Sequence, residues 1–306
     1  MVEDLISKHV SVLNLDKTAP TLPNHVNFWK CVDILDNQLL EKEILNYDPN
    51  IIIHFAAVTD LDGKDIEYYQ ANIRGTQNII DIAAKLSNLK KVIFTSSMYV
   101  CKPGIIPPDF DTYKPHTLYG ESKVAGELLV KAIKDQKYSW IIIRPTSIWG
   151  PWFNIPYIDF FKVVYQKKYF DFGRACTKTY GYVANTVYQI TKIIESDIVN
   201  NKVFYLGDLP AINISEWADE ISVLMGKGHI RKIPFLLLKI AAKVGDFITQ
   251  LGLKFPITSF RLRNMTTNNV LPLDNLYEIT GPSPVSRKEG VKNTIEWLKQ
   301  YKNYQL

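Results

Sequence analysis

The chain has no glycine before Gly63. That excludes, over its first stretch, the glycine-rich turn that lets backbone amides approach a phosphate at a helix N-terminus. Three cysteines, Cys31, Cys101 and Cys176, have neither metal-ligand spacing nor an even-numbered framework, so a disulfide scaffold is excluded and a reducing compartment is expected. The opening Met1-Val2-Glu3-Asp4 is acidic where a secretory signal would be basic. Long apolar runs are also missing: Phe235 to Ile248 is interrupted by Lys239, Lys243 and Asp246, too short and too charged to span a bilayer. It reads as an amphipathic helix packed on its own domain. Dense basic blocks are absent, and a net charge of +5 with pI ≈ 8.8 fits a small anionic ligand at least as well as nucleic acid. These absences point to a soluble cytoplasmic protein with no nucleic-acid partner and no membrane partner.

What is present is an ordinary globular composition, 46% hydrophobic and 22% charged over 306 residues, enough for a large core. Strand-like runs at Val10–Leu15, His25–Val32, Asn50–Ala57, Lys91–Ser97 and Ser139–Arg144 alternate with helical periodicity at Asn37–Tyr47, Tyr68–Leu86 and from Thr117 onward. That order predicts right-handed crossovers and a parallel sheet, an α/β fold. After Arg144-Pro145-Thr146 the texture becomes turn-rich and aromatic. We expect a sheet-bearing domain over 1–150 and mainly a smaller cap region over 151–306, with some segments returning to the sheet. In open α/β sheets ligands lie outside the carboxyl ends of the strands; Asp16, Asp33, Ala56-Ala57, Ser96-Ser97 and Pro145 all fall at such ends.

The chemistry concentrates in Thr117-Leu118-Tyr119-Gly120-Glu121-Ser122-Lys123. Residues four apart share a helix face, so Tyr119 and Lys123 should point into one space. A tyrosine with its usual pKa of ~10 is a poor base. An ammonium ~4 Å away, at an effective dielectric of ~20, favours phenolate by roughly 4 kcal/mol, which would poise the phenol for acid–base work near neutrality. Ser97, arriving from the neighbouring strand end, could hold a substrate oxygen.

With these residues in view, the chain resembles the extended short-chain dehydrogenase/reductases, in particular their NAD-dependent epimerase/dehydratase branch. The elements come in family order: Asp16, Asp33-Ile34, His54-Phe55-Ala56-Ala57, Asn72, Thr95-Ser96-Ser97, Tyr119/Lys123 and Arg144-Pro145-Thr146-Ser147-Ile148-Trp149-Gly150-Pro151. The resemblance implies a Rossmann-like doubly wound sheet, NAD as cofactor and a small-molecule substrate, most often a nucleotide sugar. Tyr119 would be the catalytic acid/base, Lys123 the ribose ligand, and Ser97 the third catalytic residue. Asp16 would take the adenosine ribose hydroxyls, Asp33 and Ile34 would flank adenine, Phe55, Ala56, Ala57 and Asn72 would line the dinucleotide, and Pro145 would sit by the nicotinamide. Asp16, Asp33 and Asn72 each have a plain structural alternative, as turn caps or a backbone clamp. On the substrate side the resemblance points to Ser97, Met98, Lys178 and Arg231, with Arg174, Arg261 and Arg263 as further diphosphate candidates. Met98-Tyr99 stands where 4,6-dehydratases carry an acidic pair, which argues against sugar dehydration. A homodimer through the helices at 68–86 and 117–135 is implied as well. Two alternatives stay open: a dehydrogenase of hydroxysteroid-like or other apolar alcohols, and a catalytically silent nucleotide-binding relative.

The resemblance has one gap. Asp16 stands where an acidic residue follows the glycine fingerprint by ~20 residues, so the glycines and the first strand would precede Met1. The expectation is that the chain is a fragment and that its sheet lacks a central strand. Calorimetric titration of this 306-residue chain with NAD is accordingly expected to show no micromolar binding.

Overall fold

The computed structural model describes residues 1–134, 136–153, 156–171, 173–250, 259, 262 and 266–302. Its centre is a parallel sheet of four strands, β3 (Ile51–His54), β4 (Lys91–Thr95), β5 (Ser139–Pro145) and β10 (Lys202–Leu206), in the order β10-β5-β4-β3. Alternate residues of its inner strands serve opposite faces, the period of two that a strand imposes. Val92, Phe94, Trp140 and Ile142 join a cluster with Leu40 and Ile44 of α2 (Asn37–Tyr47), Ile79 and Ile82 of α3 (Gln70–Ala83) and Val130 of α4 (Leu118–Lys131). Ile93, Ile141 and Ile143 face the other way, against Ile190 and Ile193 of α6 (Val183–Glu195) and Leu276 of α9 (Asp274–Thr280). A sheet covered on both faces is what the continuous apolar runs predict.

The first half of the chain departs from the sequence reading at its start. The run from Val10 forms a strand only over β1 (Asn14–Asp16), and Val10 is 46% exposed. The expected strand His25–Val32 is a 3-10 helix over Pro23–Phe28 followed by β2 (Trp29–Cys31). Pro23 has no amide to donate and a φ suited to a first helical turn, so it starts a turn where hydrophobicity alone suggests a strand. β1 and β2 form their own parallel pair, Asn14↔Trp29 to Asp16↔Cys31. Among the described residues no strand joins this pair to the outer edge of β3. In consequence Ile51, expected to be covered on both sides, is 37% exposed, whereas Lys91 to Phe94 of β4 are buried. The pair still belongs to the same body, because Leu15 and Val32 pack into the cluster under α2 and α3.

A second aromatic core holds the later part of the chain. Trp149 of β6 (Ser147–Trp149), Phe161 of α5 (Tyr157–Tyr165), Tyr182 of β9 (Tyr180–Tyr182) and Trp217 of α7 (Ile214–Leu224) meet Val291 and Leu298 of α10 (Arg287–Lys302). Its ring pairs Trp149–Tyr182, Trp149–Trp217 and Phe160–Trp217 have centroids 4.9, 5.0 and 4.9 Å apart. The chain crosses back: β10, α6 and α9 lie after residue 151 yet complete the central sheet and its cover. Shorter pairs, β7 (Phe170–Asp171) with β12 (Arg231–Lys232) and β8 (Thr177–Lys178) with β11 (Ile212–Asn213), frame this half, and α8 (Phe235–Gln250) follows β12. No helix among the described residues is long and apolar enough to cross a membrane.

One ion pair ties α4 to β5. Arg144 and Glu127 are both buried, and the guanidinium meets the carboxylate in a fork, Nε to Oε1 and Nη2 to Oε2 each at 2.8 Å. Arg144 also donates to the carbonyl of Phe110 at 2.8 Å and to the Tyr205 hydroxyl at 3.2 Å. Removing one charge would strand the other in the interior, so Glu127→Gln is expected to cost about 3–5 kcal/mol, read as a lower urea midpoint at unchanged m-value.

Candidate active site

The C-terminal end of β4 delivers Ser97. Its hydroxyl accepts the Tyr99 amide at 3.1 Å and so caps the short 3-10 turn Met98–Val100. Across from it α4 begins with Thr117 as N-cap, whose hydroxyl accepts the Gly120 amide at 3.0 Å. Gly120 is required here: a Cβ at that position would lie 2.4 Å from the Tyr99 carbonyl. Without a side chain, the first turn of α4 rests directly on the 3-10 turn, and Tyr119 comes within hydrogen-bonding reach of Ser97. One turn further, Lys123 is buried with its ammonium 6.0 Å from the Tyr119 ring centroid, donating to the Thr95 carbonyl at 2.9 Å. Ser97, Tyr119 and Lys123 are therefore brought together.

The electrostatics differ from the sequence expectation. Burial raises the Tyr119 pKa above the ordinary phenol value, and the Ser97 hydrogen bond offsets this only in part. Lys123 does not supply the lowering expected of it, because its ammonium is turned toward the Thr95 carbonyl and lies 6.0 Å from the phenol ring centroid. Burial brings Lys123 down to about 8, against the opposing pull of Glu127 one turn along. As the structure stands, the phenol is a proton donor at neutral pH. His54 is also buried, its ring against Thr76 at 3.2 Å, and burial together with the Lys123 charge lowers it to about 3. A cavity of about 10 Å³, room for one water, is lined by His54, Thr76, Thr95, Ser96, Lys123 and Glu127.

The residues expected at the cofactor fall into three groups. Asp16 is exposed at the end of β1 and one carboxylate oxygen accepts the Thr18 amide at 2.7 Å; Asp33 does the same for Leu35 at 2.9 Å. Both make the turn that the structural alternative predicts, and each keeps its second oxygen for another donor. Phe55 and Ala56 are exposed beyond β3, with Ala57 and Pro145 half-buried, so an accessible ledge runs along these strand ends. Asn72 is a clamp: its carbonyl accepts the Val58 amide at 2.8 Å, and its NH₂ serves the Val58 carbonyl and the Ser122 hydroxyl, both at 2.9 Å. Both of its N–H groups are engaged, so it shapes the Phe55–Val58 segment. Acidic turn ends and an open ledge suit the two ends of a dinucleotide. The N-terminal helix α1 (Val2–Ser7) has Glu3 and Asp4 in its first turn, which does not suit a pyrophosphate.

On the substrate side, Met98 follows Ser97 and its sulfur receives the Asn269 amide at 3.7 Å. Lys178 lies in β8, opposite Ile212, and bridges to Asn269. Arg231 sits in the exposed β12, and Arg174 stacks over the Phe235 ring at 4.0 Å. Arg261 and Arg263 lie outside the described residues. No cluster of potential metal ligands occurs among the described residues. Several site residues were missed by sequence reasoning. Tyr99 and Tyr69 pack against Tyr119 with centroids 6.1 and 6.2 Å away, and His116 stacks on Tyr99 at 5.6 Å. Glu127 stands four residues beyond Lys123, a spacing that could have revealed it.

Residues 1–160 match the NAD dependent epimerase/dehydratase family. Among similar proteins, the N-acetyl-alpha-D-glucosaminyl-diphospho-ditrans,octacis-undecaprenol 4-epimerase of Escherichia coli O157:H7 is 22% identical over 94% of this chain and 88% of its own. The decarboxylating sterol-4-alpha-carboxylate 3-dehydrogenase of Candida albicans is 23% identical over 91% and 84%. The solved UDP-glucose 4-epimerase of Thermotoga maritima, with UDP-glucose, superposes with a TM-score of 0.75 at 18% identity, covering 98% of this chain and 94% of that one. The UDP-glucuronic acid 4-epimerase of Bacillus cereus, in complex with NAD, reaches 0.72 at 20% over 98% and 94%. The structural likenesses establish a shared Rossmann-type fold.

The buried imidazole makes a pH prediction. The folded pKa of His54 is about 3, and the unfolded value is about 6.5. Between the two the unfolded chain binds the extra proton, so stability falls as pH drops through that window. The melting temperature should decline from pH 6.5 toward 4, and His54→Gln should decline less steeply over the same range in calorimetry.

Proposed function

We propose, from the premise that the chain belongs to the NAD dependent epimerase/dehydratase family, that its site carries out proton transfer at the carbinol or ketone oxygen of a sugar held through a diphosphate, a nucleotide sugar in the first instance. The family is NAD-dependent and of the extended short-chain dehydrogenase/reductase type; NAD, when bound, supplies the hydride acceptor. In this reading Tyr119 gives its proton to the ketone oxygen in reduction and takes it from the hydroxyl in oxidation. Ser97 holds that oxygen, and Lys123 holds a ribose hydroxyl. Asp16, Asp33, Ile34, Phe55, Ala56, Ala57 and Pro145 line the dinucleotide, with Asn72 acting through the segment it clamps. Lys178 and Arg231 neutralise the diphosphate, and Met98 borders the sugar. The observation that carries this reading is the convergence of Ser97 and Tyr119 at the start of α4, above the buried Lys123.

The family's epimerases and reductases share the same chemistry at the carbinol, exchange of a hydride at its carbon and of a proton at its oxygen. They differ in whether the ketone turns before it is reduced. Dehydration is disfavoured because Met98-Tyr99 offers no carboxylate beside Ser97. A second reading, oxidation of an apolar alcohol, is favoured by the aromatic walls of Tyr69 and Tyr99 beside Tyr119 and by the coverage of the Candida sterol dehydrogenase. Pairing of two copies through α3 and α4, where Leu128 is 53% exposed, and a cytoplasmic location complete the proposal.

Incubation with NAD at millimolar concentration, to allow for the weak binding expected above, and a panel of UDP-, GDP- and lipid-diphosphate sugars and 3-hydroxysterols separates the readings. A sugar epimer or 4-keto sugar by NMR is expected; oxidation of the sterol alone favours the second. Tyr119→Phe is expected to lower turnover by about 10²–10⁴-fold with an unchanged melting temperature, and undiminished turnover would sink the role given to the phenol.

A further inference from the structure

Helix α8 buries its thinner side. Leu238, Ala242 and Gly245 are buried, and with Leu262 the first two form a small separate cluster, against which Ile233 and Phe235 pack. The more apolar side faces water: Leu236 is 67% exposed, Leu237 56%, Ile240 54%, Val244 48% and Phe247 61%. At 3.6 residues per turn these five fall within an arc of about 100°. The next positions round one edge are Lys243 and Lys239, both exposed. Asp246 lies beyond them, with its carboxylate occupied by the Ser259 amide at 2.9 Å. The other edge carries Ala241 and Ile248, which are uncharged. Arg231 and Lys232, directly before α8, are exposed too. The sequence predicts a helix packed on its own domain, and the structure bears this out for only the narrow side.

We infer that α8 is an interfacial helix that lays its Leu236–Phe247 face into the surface of an anionic bilayer. The shape fits: a helix of 16 residues does not span a bilayer but lies in its plane with the apolar arc at the acyl boundary. The charge fits as well. Lys239, whose ammonium lies 5.5 Å from the Phe235 ring centroid, and Lys243 flank the apolar arc, and at a bilayer their flexible stems can carry the ammonium groups up to the lipid phosphates. A second copy of the chain is a poorer occupant, because in an antiparallel pairing about a two-fold axis like edges meet, and Lys239 and Lys243 would oppose their own copies. The helix is also tied to the substrate side of the candidate site. Arg174 stacks on Phe235 at its start, and the chain leaving it reaches Asn269, whose amide contacts the Met98 sulfur and accepts the Gly104 N–H at 3.0 Å. The inference rests on this surface alone and not on the reaction proposed above.

Co-sedimentation of the full chain with phosphatidylcholine vesicles, with and without phosphatidylglycerol, tests it. Binding to the anionic vesicles is expected, weaker binding to neutral ones, and release by salt. Ile240→Glu/Val244→Glu should abolish binding, and Lys239→Gln/Lys243→Gln should weaken it about thirtyfold. Both variants alter exposed side chains and should melt at the wild-type temperature. Absence of binding to either vesicle overturns the inference, as does undiminished binding by Ile240→Glu/Val244→Glu. Equal binding to neutral vesicles overturns the anionic assignment. A concentration-dependent dimer dissolved by the same double substitution, without vesicle binding, assigns the face to a second copy instead.

Discussion

An ammonium group cannot be carried into a protein interior unless something answers its charge and its hydrogen-bonding protons, and Lys123 is buried. The answers come from three directions. The Thr95 carbonyl, at the last residue of β4, takes one proton. Glu127, on the same stripe of α4, supplies the opposite charge. That carboxylate would itself be stranded without the fork of Arg144 from β5, and Arg144 in turn is enclosed by the Phe110, Tyr113 and Tyr205 rings at 5.3–5.5 Å. Tyr119, Lys123, Glu127 and Lys131 are spaced by fours along one helix, so a single face of α4 carries alternating charge down from the phenol. The arrangement of β4, α4 and β5 around the candidate site is the arrangement that lets this chain of charges close.

Much of this was legible in the sequence. The helix Asn37–Tyr47 stands as its periodicity predicts, the runs at β4 and β5 are buried strands, and the tyrosine–lysine spacing does place both residues on one helix beside Ser97. Such features report on a residue's immediate neighbours along the chain, where period and spacing suffice. The failures have a common cause, which is that pattern names the apolar residues and not their partners. Val10 to Leu13 read as strand but find no strand to pair with among the described residues. Ile51 reads as doubly covered, yet its edge is open. The direction of the Tyr119 shift depended on where the Lys123 side chain turns, and the Thr95 carbonyl that draws it away is contributed by a residue 28 positions earlier.

The later half of the chain shows the same limit from the other side. Its aromatic residues read as a texture change, and they do form a core of their own around Trp149 and Trp217. That some later segments return to the central sheet was expected; what could not be read is that they are β10, α6 and α9, since the contact between β10 and β5 joins residues some sixty positions apart. The later half of the chain is thus not a separate lobe hung on the first. Asn269 joins Met98, Gly104 and Thr177 across that boundary, so whatever moves the cap residues is felt at the turn that follows Ser97.

The division between the β1–β2 pair and the sheet of β3 to β10 has a consequence for how the molecule opens. A continuous ladder transmits cooperativity, because one strand cannot leave without breaking its neighbours' bonds. Here the two ladders share side-chain packing and no described ladder hydrogen bond. Sub-global opening should therefore release the segment bearing Asp16 and Asp33 as one unit, with amide exchange far faster than in β4 and β5. The edge bearing these two acidic turns would breathe while the β4–α4 end stays closed.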